Sequence, residues 1–385
     1  MSAVATPSSA QEIAELLRDT AGQSRAISIA GNHSKRLMGG PCLPADVTIS
    51  TARLSRILQY EPNDLTISVE AGVRWSELER TLARNRQRIA LDPPFAAEAT
   101  VGGVVASNSS GPLRKQFGTA RDLVIGMQFA TLEGKLVRTG GMVVKNVAGL
   151  DMGKLLIGSF GTLAVITSVN FRLHPLPEDT RTFVLSFADS DAALTRCSAL
   201  RESMLRPHTM DLIGPVFAAR FGLRGYLLAL QAGGSRRVLE RYGRELAGSA
   251  ILAGAEEQSF WKQVREAPAE FLKRQPAGLV LRIATPLSEM DRLLRLASGA
   301  AIARAGNGIA YIYLSGPGAL ASLSRAIKER GWTSVIEYAA PDFRGKGELW
   351  PLTPGGESAF AMMKSVKHMF DPQNLLNRSR LYGRI

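Results

Sequence analysis

Cysteine is scarce in this 385-residue chain: Cys42 and Cys197 stand far apart and belong to no CxxC or CxxxC pattern. That excludes a disulfide framework and an iron–sulfur cluster, and a reducing cytoplasm is the expected compartment. No stretch reaches the roughly 18 apolar residues that span a bilayer, so any membrane contact is expected to be peripheral. The opening MSAVATPSSAQEIAELL lacks the charged start and apolar core of a signal peptide. Histidine occurs four times, at 33, 174, 208 and 368, and the spacings exclude a paired-His metal site. Neither GxGxxG opening a helix nor GxxxxGK[ST] occurs, which removes the Rossmann and P-loop readings. Aromatics make up only 6% of residues, so the interior must be built from Ala, Val, Ile and Leu.

What is plentiful is positive charge and glycine. A net charge of +13 invites a nucleic-acid reading. The cations are mostly Arg scattered along helices, with neither a basic arm nor interleaved aromatics, so nucleic acid is not an expected partner. The remaining charge suits an anionic cofactor, a small carboxylate, an acidic partner or an anionic membrane surface. The 37 glycines exceed average usage and read as backbone bent around something.

Along the chain, Ser8 and Ser9 precede Gln11 and Glu12 at capping-box spacing, with Ile13, Leu16, Leu17 and Thr20 on one helical face. The strand Ala26–Ala30 runs directly into the polar turn Gly31-Asn32-His33-Ser34-Lys35. Alternation over 65–70 predicts a half-buried strand, and Trp75, Leu78 and Leu82 share a helix face. Strands over 125–131 and 135–139 join across Glu133-Gly134, a tight hairpin. A further strand is expected over 163–173. His174-Pro175-Leu176-Pro177 then breaks the pattern and marks a domain boundary. Beyond it, apolar strands at 182–187, 225–231, 279–284 and 309–314 alternate with amphipathic helices, an α+β layer of antiparallel character. A last helix is expected over 357–369.

The segment 99–112 is nearly free of large side chains and reads as a glycine-rich loop presenting its backbone to a ligand. Val101, Val104 and Val105 make it too apolar for a linker. The order GNHSK, LDPPFAAEATVGGVVASNSSGP, FGTARDLVIGM and KNVAGLDMGKLLIGSFGTLAVIT resembles the FAD-binding PCMH-type domain of the vanillyl-alcohol-oxidase superfamily. Within it, the KNVAGLD run, Phe260–Arg265, Leu281–Pro286 and the tail FDPQNLLNRSRLY resemble the FAD-binding subunits of bacterial glycolate oxidases.

The resemblance implies an α+β fold with FAD as cofactor. A two-lobed FAD-binding PCMH-type domain would cover residues 1–178, with lobes at 1–62 and 63–178. A smaller α+β domain with an antiparallel sheet would cover 179–340, and a segment over 341–385 would return toward the flavin. Gly31, Asn32, His33, Ser34 and Lys35 would form the diphosphate turn, and Thr100, Gly102, Gly103, Ser107 and Ser109 a second clamp. Pro94 would lie near the flavin, and Gly161, Thr162, Val165 and Ile166 would line the adenosine end. Leu150 replaces a common aromatic. The tail reads Asn377-Arg378-Ser379-Arg380 where the family keeps Asn-Pro-Gly-Arg. His33 either tethers the flavin covalently, as in some superfamily members, or only hydrogen-bonds; the second is preferred.

For activity, the resemblance implies oxidation of glycolate, or another small 2-hydroxy acid, with electrons passed to a homologous flavoprotein subunit and an iron–sulfur subunit. The assembly would lie in the cytoplasm, peripheral at the inner face of the membrane through those partners. The alternatives are a stand-alone dehydrogenase for D-lactate or a related acid, and a non-catalytic flavoprotein that relays electrons. Such chemistry needs a base and an Arg that grips a carboxylate. Arg282, Arg344 and His368 are the candidates, and each also reads as a surface cation or a satisfied structural His, which is the reading preferred.

Overall fold

Ser9 starts the first helix, Ala10–Gly22, by accepting from the Glu12 amide, and the Glu12 carboxylate returns to the Ser8 amide at 2.8 Å. The structure, a computed structural model, describes residues 3–142, 151–352 and 355–385. Ile13, Ala14 and Leu17 are fully buried. They pack with Ile27, Val47 and Ile49 of a small parallel sheet, ordered Ala3–Ala5, Val47–Ser50, Ile27–Ala30.

The second sheet is antiparallel and ordered Ile57–Glu61, Thr66–Glu70, Val165–Arg172, Val124–Ala130, Leu136–Gly140. The hairpin across Glu133-Gly134 forms, and Gly134 supplies the left-handed φ of +77° that the turn requires. Thr66–Glu70 departs from the half-buried expectation, since all five of its residues are buried. It lies inside the sheet, and its outward Glu70 carboxylate is taken by the Arg56 main-chain amide and guanidinium, both at 2.8 Å.

The glycine-rich stretch after Ala99 is not a loop. Val101–Ala106 is a short helix capped by Thr100, whose hydroxyl accepts from the Gly103 amide at 3.3 Å. Val101, Val104 and Val105 recur at helical spacing and are fully buried beside Trp75 and Leu78, so burial decides for helix. Gly102 packs on the sheet: an added Cβ would lie 2.9 Å from the Ala71 Cβ.

His174-Pro175 does not merely break the chain; it pairs antiparallel with Gln87–Arg88. From Asp179 an eight-stranded antiparallel sheet begins. Its order is Ala250–Leu252, Asp179–Phe187, Tyr226–Gly234, Thr209–Ile213, Ala301–Arg304, Ile309–Leu314, Leu279–Ala284, Thr333–Ala339. The last helix, Gly356–Phe370, leads into an irregular, turn-rich tail that touches the edge of the small parallel sheet, where the Ile27 amide donates to Leu375 O at 2.9 Å.

That tail holds the crossover between Ile27–Ala30 and Val47–Ser50. Parallel neighbours need a crossover, usually a helix that satisfies its own backbone. Residues 31–46 contain no helix, so their carbonyls need donors from elsewhere. Arg380 donates to Lys35 O at 2.8 Å, to Gly40 O at 2.6 Å and to Met38 O; Arg344 donates to Gly40 O at 2.8 Å, and Arg378 to Pro44 O at 2.6 Å. Asn377 accepts from the Ile29 amide at 2.8 Å and donates to Phe160 O at 2.7 Å. Ser379, where the resemblance expects glycine, sits at φ +61°.

Three substitutions test this arrangement. Arg380→Met, which strips three crossover carbonyls of a charged donor, is expected to lower the unfolding free energy by about 3 kcal/mol in denaturant titration. Arg236→Ala, which removes a 93% exposed side chain, is expected to change it little. Ser379→Gly is expected to raise the midpoint, by up to about 1 kcal/mol, because glycine carries no steric penalty at positive φ.

Candidate functional site

The crossover turn, the helix Val101–Ala106 and the tail enclose a cleft of about 200 Å³. It is lined by Gly31 to Arg36, by Thr100, Gly103 and Ser107, and by Phe160, Asn377 and Arg380. The turn approaches the helix so closely that a Cβ on Gly31 would fall 2.2 Å from the Thr100 hydroxyl, and Asn32 latches it to Glu98 O at 3.0 Å. Lys35 is one of the residues lining this cleft, and its ammonium is buried and has no hydrogen-bond partner among the described residues. Burial pushes its pKa down to about 8, against the pull of the Glu266 and Glu98 carboxylates. An enclosed ammonium without a partner beside a run of exposed turn backbone suits an anionic ligand, and a dinucleotide diphosphate fits that chemistry.

Ser107 also lines a second cleft, of about 140 Å³, between this helix and the large sheet. Here Arg114, Arg265, Arg282 and Arg304 meet Tyr311, Tyr313, Tyr382 and Glu337. Arg282 donates to Glu337 at 2.8 Å, and Arg304 pairs with the buried Asp211. Burial raises the Glu337 carboxyl above its usual range while Arg282 opposes the rise, and burial pushes the Tyr382 phenol up to about 12. The two clefts share Ser107 as a lining residue.

The expected site residues divide accordingly. Gly31, Asn32, His33, Ser34, Lys35, Thr100, Gly103 and Ser107 line the first cleft, and Pro94, Ser107 and Ser109 the second. The hydroxyls do not reach outward as a clamp: Ser107 donates to Gly103 O at 2.7 Å and lies 2.8 Å from the Ser109 hydroxyl. His33 is exposed at φ +53°. Gly102 faces Ala71, and none of Gly161, Thr162, Val165 and Ile166 lines either cleft. Val165 and Ile166 are core residues, and Thr162 O accepts from the buried Lys367 ammonium at 2.8 Å. Residues 145–150 of the KNVAGLD run lie outside the described residues.

Of the catalytic candidates, only Arg282 reaches a cleft, so its reading as a surface cation is corrected. Arg344 is buried as a donor to the crossover, and His368 is exposed on the last helix. Sequence reading missed Arg114, Arg304, Tyr311 and Glu337. A signal existed for two of them: Arg304 and Glu337 are charges inside the otherwise apolar strands AIAR and TSVIEYA. Such charges survive burial only with a partner or a task.

An anion at Lys35 would be held by its charged form, which is lost from the free protein as pH rises through about 8. The affinity of FAD-free protein for FAD, followed by quenching of flavin fluorescence, is therefore expected to be steady below that pH and to weaken above it. Lys35→Met is expected to bind more weakly at neutral pH and to lose this pH dependence.

Residues 1–140 match the family model described as FAD binding domain, and residues 350–381 match that of the C-terminal domain of FAD linked oxidases. The chain is 30% identical over 278 residues to glycolate oxidase subunit GlcE of Escherichia coli (strain K12), covering 72% of this chain and 73% of that protein. It is 25% identical over 423 residues to glycolate oxidase subunit GlcD of Bacillus subtilis (strain 168), covering 99% and 89%. The 4-ethylphenol oxidase from Gulosibacter chungangensis shares the fold at TM-score 0.74 and 15% identity, over 98% of this chain and 88% of that one. The first family model covers the turn after Ala30 and the Thr100-capped helix, and the second covers Arg378 and Arg380 of the tail that holds that turn. The chain thus belongs to the FAD-linked oxidases, and is an oxidoreductase that binds FAD in a PCMH-type α+β fold.

Proposed function

We propose that this chain is the FAD-binding subunit of a glycolate oxidase, which oxidises glycolate to glyoxylate and passes the electrons to partner subunits. The observation that carries this reading is the cleft of arginines and tyrosines that meets the dinucleotide cleft at Ser107. It offers cationic forks and protonated phenols to a small anion beside the place where the cofactor's far end would lie. Relatives named as glycolate oxidase subunits support both the substrate and a multi-subunit assembly. In this reading residues 1–178 hold the cofactor without a covalent bond, 179–340 cover the substrate side, and 341–385 close over the cofactor turn. The partners are a homologous flavoprotein and an iron–sulfur subunit, through which the chain would meet the membrane's inner face. No helix among the described residues is long and apolar enough to cross a membrane.

Bound FAD supplies the acceptor for the two electrons that leave the substrate carbon with its hydrogen. The chain's own residues handle charge and the remaining proton. Glu337 is the carboxylate on the lining of the second cleft and is placed to take the hydroxyl proton. Arg282, at 2.8 Å, fixes its orientation and favours the charged form that can accept. Buried Tyr338 and Tyr382 keep bulk water from that side.

Anaerobic mixing of the FAD-loaded chain with glycolate, in the presence of its partner subunits, is expected to bleach the flavin. Glu337→Gln is expected to slow bleaching by about 100-fold or more with FAD content unchanged. Because the proton must go to the ionised carboxylate, the wild-type rate is expected to rise with pH through Glu337's raised pKa. Flavin that stays oxidised with glycolate and D-lactate alike, partners present, contradicts this reading and favours an electron-relay role. Equally fast D-lactate bleaching by the chain alone favours a stand-alone dehydrogenase.

A further inference from the structure

The second cleft holds more guanidinium groups than it has carboxylates to match. Arg282 is taken by Glu337 at 2.8 Å, Arg304 by Asp211, and Arg265 lies 3.5 Å from Glu266. Arg114 opens the short helix Arg114–Phe117, lines the same cleft, and makes no side-chain ion pair or hydrogen bond among the described residues. Its nearby carboxylate, Glu337, is already engaged, and Arg282 and Arg304 add like charge beside it. A half-buried guanidinium in such company is unfavourable in the free protein, and an incoming anion relieves both the desolvation and the repulsion.

We propose that Arg114 is the specificity residue of this cleft: its two-pronged guanidinium grips the carboxylate of a small 2-hydroxy acid and leaves the hydroxyl-bearing carbon free to face Glu337. The inference rests on the substrate class proposed above and adds the residue that selects it. Arg282 and Arg304 are poor substitutes, because a carboxylate on either would first have to displace a buried partner, at the cost of leaving that partner unpaired. Tyr311 and Tyr382 line the same wall. Burial holds both phenols protonated at neutral pH, so they are donors there and do not oppose the anion. A neutral primary alcohol of equal size finds no counterpart to the guanidinium and is rejected.

The test uses the FAD-loaded chain and oxalate, a small dicarboxylate with no hydrogen to lose, titrated while the flavin absorption spectrum is followed. The wild type is expected to give a saturable spectral change. Arg114→Gln is expected to weaken oxalate binding by roughly 100-fold, and Arg114→Lys, which keeps the charge but not the fork, to fall between. FAD per chain and the unfolding midpoint are expected to stay at wild-type values in both variants. Unchanged oxalate affinity in Arg114→Gln overturns the assignment while leaving the substrate class standing. Loss of FAD from both variants also overturns it, since Arg114 would then serve the cofactor. A wild type that neither responds to oxalate nor is bleached by any 2-hydroxy acid alongside its partners removes the substrate class and this inference together.

Discussion

The irregular crossover between two parallel strands is the constraint on which the rest depends. Between Ile27–Ala30 and Val47–Ser50 the chain must travel the length of the strand and return without a helix to satisfy its carbonyls. Arg344, Arg378 and Arg380, more than three hundred residues further along the sequence, donate to those carbonyls. The turn after Ala30 therefore owes its shape to the opposite end of the chain. Asn377 extends the same strap to Phe160, so the turn, the tail and the segment after Gly158 set one another's positions.

A second constraint is electrostatic. The Arg304–Asp211 and Arg282–Glu337 pairs are set into strands of the large sheet, where apolar residues of the same volume would give equal or greater stability. Arg282, Arg304 and Glu337 line the second cleft, and the pairs hold these side chains in fixed positions there. Much of the chain's +13 charge is solvated surface, as the 93% exposed Arg236 illustrates. The buried excess is local: among the described residues, Lys35 at the first cleft has an ammonium without a hydrogen-bond partner, and Arg114 at the second makes no ion pair.

Much of this organisation was legible in the residues. The cap at Ser9, the hairpin across Gly134, the strands of the large sheet and the turn after Ala30 follow local rules of capping, alternation and glycine geometry, and each forms. Where local chemistry and burial competed, burial won. Val101, Val104 and Val105 turned an expected loop into a helix, and the central position of Thr66–Glu70 buried a strand that alternation read as half-exposed. The second cleft was hardly visible because it is made by tertiary contact. Arg114, Arg282, Arg304, Tyr311 and Glu337 come from five separate segments, and nothing in the spacing of Arg114 distinguishes it from a surface arginine. Arg344, a weak ligand candidate whose preferred reading was a surface cation, is instead buried and donates to Gly40 O as a structural group.

The central claim is that one FAD runs from the crossover turn, past Ser107, to the cleft of arginines and tyrosines. Its most direct test is a crystal structure of the FAD-loaded chain. The account predicts density for the diphosphate against Gly31–Lys35 with the Lys35 ammonium in contact, and for the flavin ring next to Ser107 with one edge open to Arg114 and Glu337. A flavin ring bound away from that cleft, or a diphosphate that leaves Lys35 without a partner, would contradict it.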